Sequence, residues 1–190
     1  MQREIKHIIS ESISIKELIL EDDHLLMQIE EVVNILITAF RQGKKVLFCG
    51  NGGSAADSLH LATELSGRFY LERAPLFAEA LPADNVFLTA IGNDYSYEET
   101  FARLLEAKGR EGDVLIALST SGTSPNIIKA LERARSLHMK TIGFSGASGG
   151  KMPDLCDLLL KIPSTDTPRI QEAHMLVGHI VCQFVEAALA

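Results

Sequence analysis

His60 and Glu64, in the stretch VLFCGNGGSAADSLHLATE, are spaced to act together. Four positions apart on a helix, they share one face. An imidazole beside a carboxylate can move protons or hold a metal ion. Just ahead of them the chain reads Gly50-Asn51-Gly52-Gly53-Ser54. Glycines let backbone amides approach an anion closely, and a helix start aims its positive end at the same place. One strand, loop and helix therefore offer an anion cradle and, farther along, a proton-transfer or metal pair.

A second cluster follows another apolar run, in VLIALSTSGTSPN from 114 to 126. Ser119, Thr120, Ser121, Thr123 and Ser124 supply five hydroxyls around Gly122, and Pro125 suits the first position of a helix. Hydroxyls and free amides at a helix start match the acceptor oxygens of a phosphate. A plain polar turn with helix caps is the alternative, and the density of hydroxyls after a buried strand favours the anion. The lysine of a P-loop is missing, which excludes nucleoside triphosphate hydrolysis of that type. The first loop also lacks the G-x-G-x-x-G pattern of a dinucleotide site.

The C-terminal stretch RIQEAHMLVGHIVCQFV is strongly apolar yet carries Gln171, Glu172, His174 and His179. Polar groups in a mostly buried helix need partners. His174 and His179 point about 140° apart, so only one faces a given site. Ideal helix geometry pairs His179 with Glu172. A further polar cluster, Ile91-Gly92-Asn93-Asp94, reads as a turn with an Asx cap or as a binder of sugar hydroxyls.

Several elements must position these groups. The first 42 residues read as two apolar helices, the second from about Leu25 to Phe40. They carry more apolar surface than one small sheet needs, which predicts a subunit interface. Strands are expected at Val46–Cys49, Leu76–Ala80, Val114–Leu118, Thr141–Ser145 and Leu158–Ile162. Helices are expected near 54–66, 84–91, 96–108, 124–137 and 168–189. This alternation predicts an α/β three-layer sandwich with a central five-stranded parallel sheet. Ligands in such sheets bind beyond the carboxyl ends of the strands.

At 190 residues the chain has room for one domain spanning 1–190, with 1–42 as a helical extension. The composition is 46% hydrophobic and 23% charged, as in globular proteins, and the net charge of -7 argues against nucleic acid as a partner. No apolar run reaches the roughly 18 residues that span a membrane, and no signal peptide is evident. Cys49, Cys156 and Cys182 are few and scattered, and they read as reduced thiols of a cytoplasmic protein.

The motifs CGNGGSAAD, HLATELSGRF, AIGND, GREGDVLIALSTSGTSPN, GGKM and RIQEAHMLVGHI occur in order along the chain. With them the chain resembles the sugar isomerase (SIS) domain family from about residue 40 onward, and the phosphoheptose isomerases end to end. The resemblance implies a flavodoxin-like topology and a cytoplasmic homotetramer with active sites between subunits. It implies interconversion of sedoheptulose 7-phosphate and D-glycero-D-manno-heptose 7-phosphate. That is the first step towards nucleotide-activated heptose for lipopolysaccharide, capsule or surface-layer glycan.

Residue by residue, the resemblance places substrate on Asn51, Gly52, Gly53, Ser54, Asn93 and Asp94. It places the phosphate on Ser119, Thr120, Ser121 and Ser124. It makes His60, Glu64, Gln171 and His179 ligands of a zinc ion, with Gln171 also touching substrate. Glu64 is then the catalytic base and His179 its acid partner. Family members often carry an acidic residue just before RIQ, where this chain has Pro168. A contact from that carboxylate is therefore absent or supplied by Asp166. The alternatives are a sugar-phosphate sensor and a scaffold similar to the DnaA initiator-associating factor. That factor lacks the glutamate and final histidine corresponding to Glu64 and His179; this chain has both.

Overall fold

The computed structural model describes all residues, 1–190. Two helices, α1 (Gln2–Glu21) and α2 (Asp23–Arg41), precede the sheet. Asp22 separates them and caps α2, its carboxylate accepting from the Leu25 amide at 3.0 Å. Then follow β1 (Val46–Gly50), α3 (Gly53–Ser66), β2 (Ala78–Ala80), α4 (Asn85–Asp94), α5 (Thr100–Lys108), β3 (Val114–Ser119), α6 (Pro125–Ser136), β4 (Lys140–Ser145), β5 (Leu158–Lys161) and α7 (Thr167–Leu189).

The five strands form one parallel sheet in the order β2-β1-β3-β4-β5. This is the flavodoxin-like order. Successive strand residues point to opposite faces. Val46, Phe48, Val114, Ile116 and Leu118 face a core built with α2, α3 and α7. Leu47, Cys49, Leu115 and Ala117 face a second core built with α5 and α6. Three layers result, because a parallel sheet with two apolar faces must be covered on both.

β1, β3 and β4 each run one residue beyond the expected bounds, to Gly50, to Ser119 and back to Lys140, and other elements depart as well. β2 is short, three residues, since Leu76 and Phe77 lie outside the ladder. β5 stops at Lys161 rather than Ile162. The helix expected at 84–91 extends to Asp94, so Asn93 and Asp94 form its last turn instead of a capped turn. The Asx cap belongs to Asp84, which accepts from the Phe87 amide at 3.0 Å. The helix expected from 96 begins as a 3₁₀ turn, Tyr97–Glu99, before α5.

β1 and β3 are neighbours in register, Gly50 beside Leu118, and the chain leaves them in opposite directions. The loops after β1 and β3 therefore sit side by side at the carboxyl edge, where the sheet order switches and a crevice opens.

Candidate active site

The loop after β1 is shorter than its glycines suggest. Gly50 ends the strand and Gly53 begins α3, leaving Asn51 and Gly52. Asn51 bridges the two loops. Its amide exchanges hydrogen bonds with the buried Asn126 at the start of α6, both at 2.8 Å. Tyr97 donates to Asn51 Oδ1 at 2.9 Å. Ser54 is buried in the first turn of α3.

The loop after β3 is wound around Ser119. The Gly122 amide donates to the Ser119 carbonyl at 3.1 Å and to its hydroxyl at 3.2 Å. Ser124 Oγ lies 3.4 Å from Ser119 Oγ. Ser121 Oγ accepts from the amide and the hydroxyl of Thr123. The turn at 146–151 braces the loop from behind: the Gly146 amide donates to Thr120 O and the Lys151 amide to Gly122 O. Gly122 has φ 66°, and a Cβ there would stand 2.1 Å from Gly149 O. No residue but glycine fits that position.

His60 and Glu64 occupy one face of α3, as i and i+4, with His60 Nε2 2.9 Å from Glu64 Oε1. His179 comes to them from α7: its Nε2 lies 3.1 Å from His60 Nε2. Ligand atoms of all three lie within 4.8 Å of one another. Two residues beside the cluster set this approach. A Cβ on Gly178 would stand 2.5 Å from Leu61, so only glycine lets α7 come this close to α3. Phe69 stacks on the His179 ring, with centroids 5.5 Å apart and planes at 25°.

The remaining expected residues take varied places. Gln171 lays its carboxamide over Gly53, whose Cβ position is 2.5 Å from Gln171 Nε2. Glu172 does not pair with His179. Its carboxylate meets Arg169 at 2.6 Å and accepts from Ser12 of α1 at 2.6 Å. The helix is rotated so that His179 faces α3, and tertiary contacts claim Glu172. Asn93 and Asp94 are exposed, and Asn93 donates to Asp94 at 2.9 Å. Asp166 is exposed at the start of α7.

His174 lies apart from the cluster, fully buried with its edge on Phe144. Burial lowers its pKa to about 4, against a weaker opposing contact with the Ser145 carbonyl. It is a neutral core residue.

Sequence reasoning missed Phe69, Asn126, Tyr97 and Asp57. Asp57 stands one turn before His60. Burial pushes its pKa up to about 6, with the nearby His60 pulling the other way. Its Oδ2 has no hydrogen-bond partner within the chain. A carboxylate three positions before His60, on the same face of one helix, was a signal the sequence offered; the others are not linked to the cluster by helical spacing.

The SIS domain family model matches residues 12–146. A phosphoheptose isomerase of Aneurinibacillus thermoaerophilus is 52% identical over 185 residues, covering 97% of this chain and 93% of that protein. One from Burkholderia pseudomallei strain K96243 is 50% identical over 190 residues, covering 98% and 96%. The solved structure of a phosphoheptose isomerase from Neisseria gonorrhoeae superposes with a TM-score of 0.92 at 37% identity, over 98% of each chain. That of a Francisella tularensis phosphoheptose isomerase gives 0.94 at 35% identity, also over 98% of each. The flavodoxin-like sheet, the hydroxyl loop and the paired helices are thus those of a known group, and this chain belongs to the SIS-domain family and, within it, to the phosphoheptose isomerases.

Proposed function

We propose that the protein converts D-sedoheptulose 7-phosphate to D-glycero-D-manno-heptose 7-phosphate by proton transfer through an enediol. The observation that carries this reading is the convergence of Glu64 and His179 from α3 and α7 onto His60. Relatives with the same name at about half identity, end to end, support it.

An aldose–ketose isomerisation moves one proton between adjacent carbons and another between their oxygens. It needs a carboxylate near both carbons and an acid near both oxygens. Glu64 takes the C1 proton of the ketose and returns it to C2. His179 donates to, and accepts from, the oxygens. The phosphate is held by Ser119, Thr120, Ser121 and Ser124 at the start of α6, where the helix end favours negative charge. Asn51, Gly52, Gly53, Ser54, Asn93, Asp94 and Gln171 contact the sugar.

His60, Glu64 and His179 form a donor set that fits zinc: two imidazoles and a carboxylate already gathered. They would hold the ion, with Gln171 as a fourth, neutral ligand. When bound, zinc would polarise the substrate carbonyl as a Lewis acid. Glu64 has two oxygens, so one can stay with His60 while the other meets the carbon proton.

The assembly is a homotetramer with sites between subunits, in a reducing cytoplasm. Half-exposed isoleucines along α1 and an apolar groove between α2 and α7, containing Leu26 and Phe184, support the first point. Three free cysteines support the second. No helix is long and apolar enough to cross a membrane. A sensor or scaffold needs only the loops and the surface, and neither role requires Glu64 and His179 to meet.

The test is incubation of the purified protein with sedoheptulose 7-phosphate, followed by NMR. Appearance of the aldose is the expected result. No conversion, with or without added zinc, would overturn the reading in favour of a non-catalytic protein.

A further inference from the structure

Arg73 and Glu186 are almost completely buried, their side chains 2% and 1% exposed. No role in binding or chemistry falls to either. Arg73 Nε lies 3.2 Å from Glu186 Oε1. Arg73 Nη2 donates to the backbone carbonyl of Glu64 at 2.9 Å, and Nη1 donates to the carbonyls of Gly67 and Ala74 at 3.3 and 3.0 Å. The guanidinium thus holds the last turn of α3 at the residue whose side chain belongs to the cluster.

Glu186 stands seven residues after His179 on α7, two turns along the same face. Besides Arg73 it accepts three backbone amides: Phe69 at 2.8 Å, Tyr70 at 2.6 Å and Leu71 at 2.9 Å. These amides fix the segment that presents Phe69 to the His179 ring. One carboxylate therefore ties α7 to the segment that backs His179, and one guanidinium ties the same carboxylate to the end of α3.

A buried ion pair is a poor device for stability, because desolvation offsets most of the attraction. It is a good device for geometry, because a guanidinium and a carboxylate that each meet several fixed backbone partners tolerate few arrangements. We propose that the Arg73–Glu186 pair is a positioning lock. It sets the spacing of α3 against α7, and thereby the separation of Glu64 and His60 from His179, and it holds Phe69 on the His179 ring. Gly178 permits the close approach, and the lock defines its distance. The proposal rests on the reading of Glu64 and His179 as the working pair. Arg73 and Glu186 are buried away from any open surface, so the lock acts through Glu64, His60 and His179.

The experiment compares the full-length wild type with Glu186→Gln and Arg73→Lys. Each is tested for steady-state kinetics with sedoheptulose 7-phosphate and for histidine ring signals by ¹H–¹⁵N NMR. A displacement of about 1 Å at a catalytic group can cost about 10²-fold in rate. The expected result is a fall in kcat of that order in folded Glu186→Gln, with KM little changed because the phosphate loop is untouched. The His60 and His179 signals move, and Arg73→Lys shows the same changes to a smaller degree. A folded Glu186→Gln with wild-type kcat and wild-type histidine signals would overturn the lock.

If Glu186→Gln does not fold, Glu186→Asp decides the matter, since it keeps the charge and shortens the reach to Arg73 and to the three amides. A shifted His179 signal and a lower kcat support the lock; unchanged signals and kcat overturn it. A wild type that does not convert the sugar phosphate sinks the functional reading alone, because the histidine spectra still report on the lock.

Discussion

At the scale of single residues, the cluster divides into a part visible in sequence and a part that folding supplies. His60 and Glu64 announce themselves by an i, i+4 spacing, and the structure places them 2.9 Å apart. His179 could be attached to them only through the resemblance, since helix geometry alone pointed it at Glu172. Replacing Glu64 by Gln removes the proton acceptor and keeps the shape. Turnover is expected to fall about 10²–10⁴-fold in a folded protein, the range for a general base. Steady-state rates beside a circular dichroism spectrum check this, and near-normal turnover would refute the role.

His174 gives a pH prediction. Its folded pKa, about 4, lies below the ordinary 6.5 because burial disfavours the charged ring. The unfolded chain therefore binds the extra proton first. The stability that neutral His174 contributes is complete above pH 6.5 and is lost as pH falls towards 4. The shift corresponds to about 3 kcal/mol. Urea denaturation at pH 7 and pH 4.5, at one protein concentration, should show this loss in the wild type and a smaller one in His174→Gln. Equal losses in both would place the acid sensitivity elsewhere.

At the scale of elements, the two loops are legible because their residue types have few structural uses in combination. Five hydroxyls around a glycine after a buried strand predict an anion cradle; in the structure the loop is wound about Ser119. Replacing both Ser119 and Ser121 by alanine should weaken sugar-phosphate binding, by about tenfold to a hundredfold for each hydroxyl that holds the phosphate. Unchanged affinity by calorimetry would mean that the phosphate binds elsewhere. Gly122→Ala puts a Cβ against Gly149 O in a left-handed backbone. Strain of about 1–3 kcal/mol should fall on this loop and appear as a raised KM with kcat less affected. The ends of elements were less legible. Asn93 and Asp94 looked like a turn, but α4 runs through them as its last turn, and the Asx cap lies at its start, on Asp84. The 3₁₀ turn before α5 has no distinct sequence signature.

At the scale of the whole molecule, α1 is the unfinished part. Ile19 alone is buried in it, while Ile5, Ile8, Ile9 and Ile13 are each about half exposed. Under the proposed assembly, an apolar stripe of that length is the surface that meets a second copy. Ile9→Asp together with Ile13→Asp should leave the fold intact, since neither side chain is in the core. The sedimenting species should become smaller in analytical ultracentrifugation. An unchanged mass would show that α1 does not join subunits. The α2–α7 groove around Phe184 would then be the next surface to examine.

The amino-acid sequence by itself determined the alternation of strand and helix, the three layers, the two loops and the His60–Glu64 pair. Those follow from hydrophobic period, from glycine and hydroxyl density, and from neighbours within one helical turn. All are local properties that a chain carries before it folds. Only the tertiary structure decided which face of α7 meets α3. That choice rests on Gly178 against Leu61, on Arg73 meeting Glu186, and on Glu186 collecting three amides more than a hundred residues earlier. Contacts so distant along the chain leave no periodic trace, because their partners are chosen by packing rather than by spacing.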